Sequence, residues 1–314
     1  MPSEPAPADP AIGRLRDRLL AELPGALRGR TDLAELDLDL NRLAELPAWI
    51  GGLSGLTALS LYHNQLAAVP DSLWDLGRLR ALNLAANRLD SLSPRIGDLA
   101  GLRMLDLGHN RLAAVPEALG RLGALEFLYL SNNRLAAVPD ALGRLGALRY
   151  LNLTDNGLAA LPESLGDLGR LIELRLYNNQ LDRLPDSLGR LGALRELYAM
   201  NNRLERLPES IGALASLRKL VLQDNRLAAL PESIGALASL TDLDLRNNRL
   251  AALPESLGAL KRLRFLDLRN NRLGALPDWL GALPSLEKLD LRWNRLPPPA
   301  WLAELERRGC TVFV

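Results

Sequence analysis

The chain is 314 residues long, with 38 basic and 37 acidic side chains and a formal net charge of +1, a balance that argues against a whole-molecule electrostatic footprint for nucleic acid. Its single cysteine, Cys310, excludes an internal disulfide. With no window apolar enough to span a membrane and no basic, apolar leader after Met1, the expected setting is a reducing one, the cytoplasm.

Residues 1–10 are proline-rich and are expected to be disordered. Residues 11–32 read as an N-terminal capping helix: Ile12, Leu15, Leu19 and Leu23 recur at helical spacing over Ala11–Leu27, and Pro24 ends or kinks it.

Residues 33–296 then hold twelve units of 23 residues without insertion or deletion, each closing on an asparagine, from Asn41 to Asn294. The phrase L-x-x-L-x-L-x-x-N-x-L, as in Leu102, Leu105, Leu107, Asn110 and Leu112, mixes a three-residue step with strict alternation, which suits a short strand entered from a turn. Leu112, Val115, Leu119, Leu122 and Leu125 lie three or four apart, which suits a short helical or 3-10 return with one buried stripe. A lone unit would leave its leucines wet, so the units must stack in parallel, with strands about 4.8 Å apart. The asparagines are predicted to form a buried ladder, because a short amide satisfies backbone groups that lose their partners where the chain turns inward. Ala199 in place of a leucine, Ser93 in place of proline and Trp74 in place of glycine break the pattern locally.

Residues 297–314 form a C-terminal cap. Pro297, Pro298 and Pro299 end the last unit, Trp301–Arg308 suits a helix, Gly309 its stop, and Cys310–Val314 a final strand. Trp301 and Phe313 are expected to lie as lids over the last leucine layer.

The repeated phrase, with the added L-P-x-x-[LI]-G-x-L at Leu46-Pro47, Leu161-Pro162, Leu207-Pro208 and Leu253-Pro254, resembles the leucine-rich repeat family, and within it the 23-residue class of Ras-scaffold, Scribble-type and bacterial intracellular proteins. The resemblance implies an α/β solenoid, a horseshoe with a parallel concave sheet, short helical or 3-10 segments on its convex side and a cap at each end. It also implies binding to other proteins, a small GTPase among the candidate partners; a monomer without a cofactor is expected.

Function is sought where the repeats disagree, in the strand positions between the leucines. All five tyrosines, Tyr62, Tyr129, Tyr150, Tyr177 and Tyr198, fall there. Met104, Phe127, Tyr129, Tyr150, Tyr177, Tyr198, Met200 and Val221 crowd the middle repeats, with Asn152, Glu173, Arg175, Glu196 and Lys219 as a polar rim. Apolar rings with a polar surround suit the centre of a protein or peptide interface. Beyond them, Asp244, Asp267 and Asp290 run beside Arg246, Arg269 and Arg292. Nine repeats place arginine directly after the ladder asparagine, and these are expected to pair with nearby acids on a solvated edge. An alternative is an enzyme that modifies a bound peptide with Tyr, His and Asp of the same face, Asp106 and Asp155 orienting His109. His63 and His109, two repeats or roughly 10 Å apart, are too distant to share a metal ion.

Overall fold

The computed structural model describes residues 13–297 and 299–314, so the disorder expected for residues 1–10 lies outside the described residues. Thirteen parallel strands of three residues each follow one another in sequence order. They fall in two compact units, one comprising described residues 13–135 and 144–148, the other 136–143 and 149–314. Unit 1 holds β1 (Glu35–Asp37), β2 (Ala58–Ser60), β3 (Ala81–Asn83), β4 (Met104–Asp106) and β5 (Phe127–Tyr129). Unit 2 holds β6 (Tyr150–Asn152), β7 (Glu173–Arg175), β8 (Glu196–Tyr198), β9 (Lys219–Val221), β10 (Asp242–Asp244), β11 (Phe265–Asp267), β12 (Lys288–Asp290) and β13 (Thr311–Phe313).

Within each unit the strands pair in register at the 23-residue step, as Leu82 with Leu105 and Leu105 with Leu128. From β1 to β12 one leucine per strand therefore points inward and is buried, while the residues on either side of it point to the opposite face, partly or fully exposed except Val221 and Asp290. The returns are short 3-10 turns such as Glu163–Asp167, entered from a proline and backed by a buried Leu165. A glycine recurs inside each turn because the next repeat's backbone passes there: a Cβ on Gly189 would meet the Ser210 carbonyl oxygen at 2.5 Å, and one on Gly235 the Ser256 carbonyl oxygen at 2.2 Å. Trp74 occupies that position and is nevertheless buried. The turns Asp71–Asp75 and Pro94–Asp98 stand further apart than their neighbours. Ser93 and Arg95 lace the widened gap, Ser93 Oγ donating to Asp71 Oδ1 at 3.1 Å and Arg95 to Asp75 at 2.8 Å and to the Asp71 carbonyl at 3.0 Å. The departures at Trp74 and Ser93 are thus one feature.

The asparagine ladder is present. Asn179 Nδ2 donates to the carbonyls of Leu153, Leu176 and Tyr177 at 3.0, 2.9 and 3.3 Å, and its Oδ1 accepts from the Leu158 N–H at 3.1 Å. The residue before each ladder asparagine is left-handed, with φ between 51° and 62° from Leu40 to Trp293. Asn, Asp and His tolerate that conformation best, which suits His63 and His109 to this position.

Among the described residues the expected N-terminal helix is reduced to a single 3-10 turn, Gly25–Leu27, entered from Pro24. Residues 13–20 extend the sheet instead: Arg14 bridges Asp37 in parallel, Leu15 N–H donates to the Asp37 carbonyl at 2.8 Å and Asp37 N–H to the Gly13 carbonyl at 2.8 Å. Asn41 Oδ1 accepts from Arg18 and Leu20 N–H at 3.0 Å each. The segment covers the edge of β1, whose backbone groups and ladder amide would otherwise lack partners. Leu19, placed on the apolar helical stripe by its spacing, is 60% exposed.

At the other end the expected helix forms as α1 (Leu302–Arg307), Gly309 takes φ +91°, and β13 pairs with β12. Trp301 packs against Gly281, where a Cβ would come within 2.8 Å of the indole. Phe313 is no lid. In register with Asp290 it faces solvent beside β12, its ring 4.9 Å from the Arg292 guanidinium and 5.4 Å from Lys288 Nζ.

Candidate functional site

Ten of the thirteen residues singled out from the sequence lie in unit 2. Cross-strand register sets Tyr150 beside Glu173, Glu173 beside Glu196, Glu196 beside Lys219, and Arg175 beside Tyr198. The Arg175 guanidinium then sits 5.5 Å from the Tyr150 ring and 5.3 Å from that of Tyr198, while Lys219 Nζ sits 5.4 Å from Tyr198. Rings and cations interleave across β6 to β9, each contact stabilising by roughly 0.5–1 kcal/mol at a partly exposed site. Acids hold the cations and rings in place: Arg175 pairs with Glu173 at 2.6 Å, and the Tyr198 hydroxyl donates to Glu196 at 2.5 Å. Burial and the bond to Glu196 raise the Tyr198 phenol well above its ordinary pKa, so it remains a hydrogen-bond donor at any physiological pH. Tyr177, Met200 and Asn152 are half-buried on the same face. Val221 is not available as a contact residue: flanked by Tyr198 and Asp244 in register, it is buried at 8% exposure.

Met104, Phe127 and Tyr129 belong to unit 1, where Met104 pairs with Phe127 and Asp106 with Tyr129 on the solvent face of β4 and β5. Asp106 Oδ1 accepts from the Gly108 N–H at 2.9 Å, and burial raises its carboxyl pKa. Among the described residues no group of three or more His, Cys, Asp or Glu side chains is placed to hold a metal ion.

Further along unit 2, the Asp and Arg columns form ion pairs within repeats, Arg269 to Asp267 at 2.5 Å, Arg292 to Asp290 at 2.6 Å and Arg246 to Asp244 at 3.5 Å, and one between repeats, Arg269 to Asp290 at 3.3 Å. Burial pushes Asp290 up, but the Arg292 bonds and the charges of Arg269 and Arg292 outweigh it and hold its pKa low. Asp244 lacks that compensation, and burial, assisted by Asp267, pushes its pKa up from 3.8 to about 6. The folded carboxyl therefore keeps its proton to higher pH than the unfolded one, and stability from this group falls as pH rises from about 4 to about 6. Asp244→Asn is expected to raise the unfolding free energy at pH 7 by roughly 2 kcal/mol and to leave it little changed near pH 4. Denaturant titrations at the two pH values check this, and equal stabilities at pH 7 would contradict it.

Two further columns were hidden in the sequence. The left-handed residues bond to one another between repeats, Asn178 to Asp155 at 2.6 Å, Asn201 to Asn178 at 2.7 Å and Asn247 to Asp224 at 2.6 Å, making a surface amide ladder beside the buried one. The nine arginines after the ladder asparagines, expected to pair with acids, are all exposed and form no ion pair among the described residues.

Repeat length, buried leucine columns and the amide ladder agree with the family models that match. A leucine rich repeat model matches residues 31–89, 78–135 and 101–158, and a leucine-rich repeat region model matches 136–225 and 209–307. The chain is a leucine-rich repeat protein. No curated protein sequence matches this leucine-rich repeat chain. Among solved structures it is similar to a Leptospira interrogans LRR protein, with 29% identity over 96% of this chain and 94% of that one and a TM-score of 0.67. It is also similar to FLRT2 (LRR) in an octameric complex with Latrophilin 3 and Unc5D, at 26% identity over 82% and 83% of the two chains and a TM-score of 0.71. A third similar structure is the TLR13–ssRNA13 complex, at 27% identity and a TM-score of 0.76, of which this chain covers 43% while 91% of this chain is matched. Among the described residues no helix is long and apolar enough to cross a membrane.

Proposed function

We propose that this leucine-rich repeat protein is a non-enzymatic binding module that grips a protein or peptide on the solvent face of unit 2. The observation that carries the reading is the interleaved ladder of Tyr150, Arg175, Tyr198 and Lys219 across four adjacent strands. A half-buried ring held between cations loses little rotamer freedom on binding, so its apolar surface is available at low entropic cost. Glu173 and Glu196 keep the surface mixed in sign, which suits a folded protein or an extended peptide. Met104, Phe127 and Tyr129 on unit 1 are a second candidate contact set. Complex formation by FLRT2 supports a protein partner by analogy. The protein works as a cytoplasmic monomer in this reading, and a small GTPase is the partner class to be tried first, on the sequence resemblance alone.

The double variant Tyr150→Ala with Tyr198→Ala is expected to abolish partner capture from cell lysate while shifting the thermal melt by no more than a few degrees. Undiminished capture by the double variant would reject the ladder as the binding surface. A captured partner whose mass changes on incubation would reject the non-enzymatic reading.

A further inference from the structure

We propose that five arginines of unit 2, Arg203, Arg226, Arg249, Arg272 and Arg295, form a stripe that docks the phosphate backbone of a single-stranded nucleic acid, away from the ring ladder. The side chains recur once per repeat, and the first four are held at that spacing by their backbone N–H groups, which donate to the carbonyls of Leu181, Leu204, Leu227 and Leu250 at 2.9 Å each. Four repeat steps extend the stripe over roughly 20 Å. All five side chains are exposed, and among the described residues none makes an ion pair or a side-chain hydrogen bond. The ion pairs of unit 2 lie elsewhere, at Arg175, Arg246, Arg269 and Arg292 and at Arg190, Arg264 and Arg307.

The surroundings favour an anion. Glu205 and Asp224 flank the start of the stripe, and the Asp224 carboxylate already accepts from Asn247 at 2.6 Å. From Arg249 onward the flanking positions are the neutral Ala251, Asn270 and Gly274. A row of guanidinium forks matches phosphate oxygens bidentately and is weakly hydrated, so desolvating it costs less than desolvating lysines. At the end of the row Trp293 is 69% exposed and locked at φ 62°, with Arg292 over the ring at 5.7 Å. An exposed indole beside a cationic track is the combination that holds an unpaired base, and it distinguishes a nucleic acid from an acidic peptide. A net charge of +1 hides this arrangement because charge averaged over the chain says nothing of its segregation.

The test uses the full chain and a fluorescein-labelled oligo(dT) of about twenty nucleotides in anisotropy titrations at several salt concentrations. Saturable binding is expected, with log affinity falling against log salt at a slope of about −3.5 for five phosphate contacts. The triple variant Arg226→Gln, Arg249→Gln, Arg272→Gln should weaken binding at least tenfold and reduce that slope by about 2. Trp293→Ala should weaken it by about fivefold or more while leaving the salt slope in place. The Tyr150→Ala, Tyr198→Ala variant should bind the oligonucleotide normally, so failure of the stripe and failure of the protein-binding face are read separately. No binding by the wild-type chain, unchanged binding by a folded triple variant, or equal competition by poly-glutamate would each overturn the proposal.

Discussion

Replacing Trp74 by alanine is expected to lower the unfolding free energy by about 3–5 kcal/mol. The indole is 1% exposed and sits where other repeats have glycine. At Gly51 and Gly97, one repeat to either side, a Cβ would lie 2.2 Å from the Ser72 carbonyl oxygen and 2.6 Å from that of Ala118. Trp74 therefore acts as a wedge, and Arg95 and Ser93 bond across the gap it opens. Removing the ring leaves a cavity that the bracing side chains keep from collapsing, which places the cost in the upper range for a large-to-small change. Trp74→Phe is the informative companion. It keeps most of the volume and removes an indole N–H that is buried without a partner among the described residues, so a cost within about 1.5 kcal/mol is expected. Urea unfolding of both variants decides the matter, and an alanine variant as stable as the parent would show that the wedge is not under packing load.

Asn179→Ala should cost about 3 kcal/mol. The Leu158 N–H loses its acceptor at 3.1 Å and has no other partner among the described residues. The Leu176 carbonyl loses one of two donors, since Asn202 Nδ2 also reaches it at 3.0 Å. Because neighbouring asparagines share carbonyls in this way, the ladder is a chain of coupled bonds rather than independent rungs. Asn179→Ala combined with Asn202→Ala should then cost more than the sum of the single changes, because the Leu176 carbonyl is orphaned only in the double variant. A double-mutant cycle by denaturant titration tests this, and strict additivity would refute the coupling.

The internal repeats were legible because each depends on one short phrase. Leu102, Leu105 and Leu107 show a buried column by spacing alone, and the unvarying 23-residue step places Leu105 opposite Leu82 and Leu128. The ends were less legible. Leu15, Leu19 and Leu23 carry helical spacing, yet the unpaired edge of β1 and the amide of Asn41 offer residues 13–20 hydrogen bonds that an isolated helical turn cannot match. Phe313 was misplaced for a related reason: its own neighbourhood says only that it lies in a strand, whereas its register with Asp290 says which face it occupies. The candidate binding residues were found by their column, but Val221 shows the limit of that signal, since a short side chain between Tyr198 and Asp244 is covered by its neighbours.

The amino-acid order by itself determined the repeat, the identity of the inward leucines, the amide ladder and the columns that face solvent, because each follows from spacing within one unit and the demand that its apolar face be covered. Only the tertiary structure decided which solvent-facing groups meet: that Arg175 lies between Tyr150 and Tyr198, that Asp244 is left poorly compensated, and that the arginines beside the ladder stay unpaired. Those partners are a repeat or more apart along the chain, and whether two of them touch depends on side-chain length and rotamer against the neighbouring strand, which no local pattern encodes.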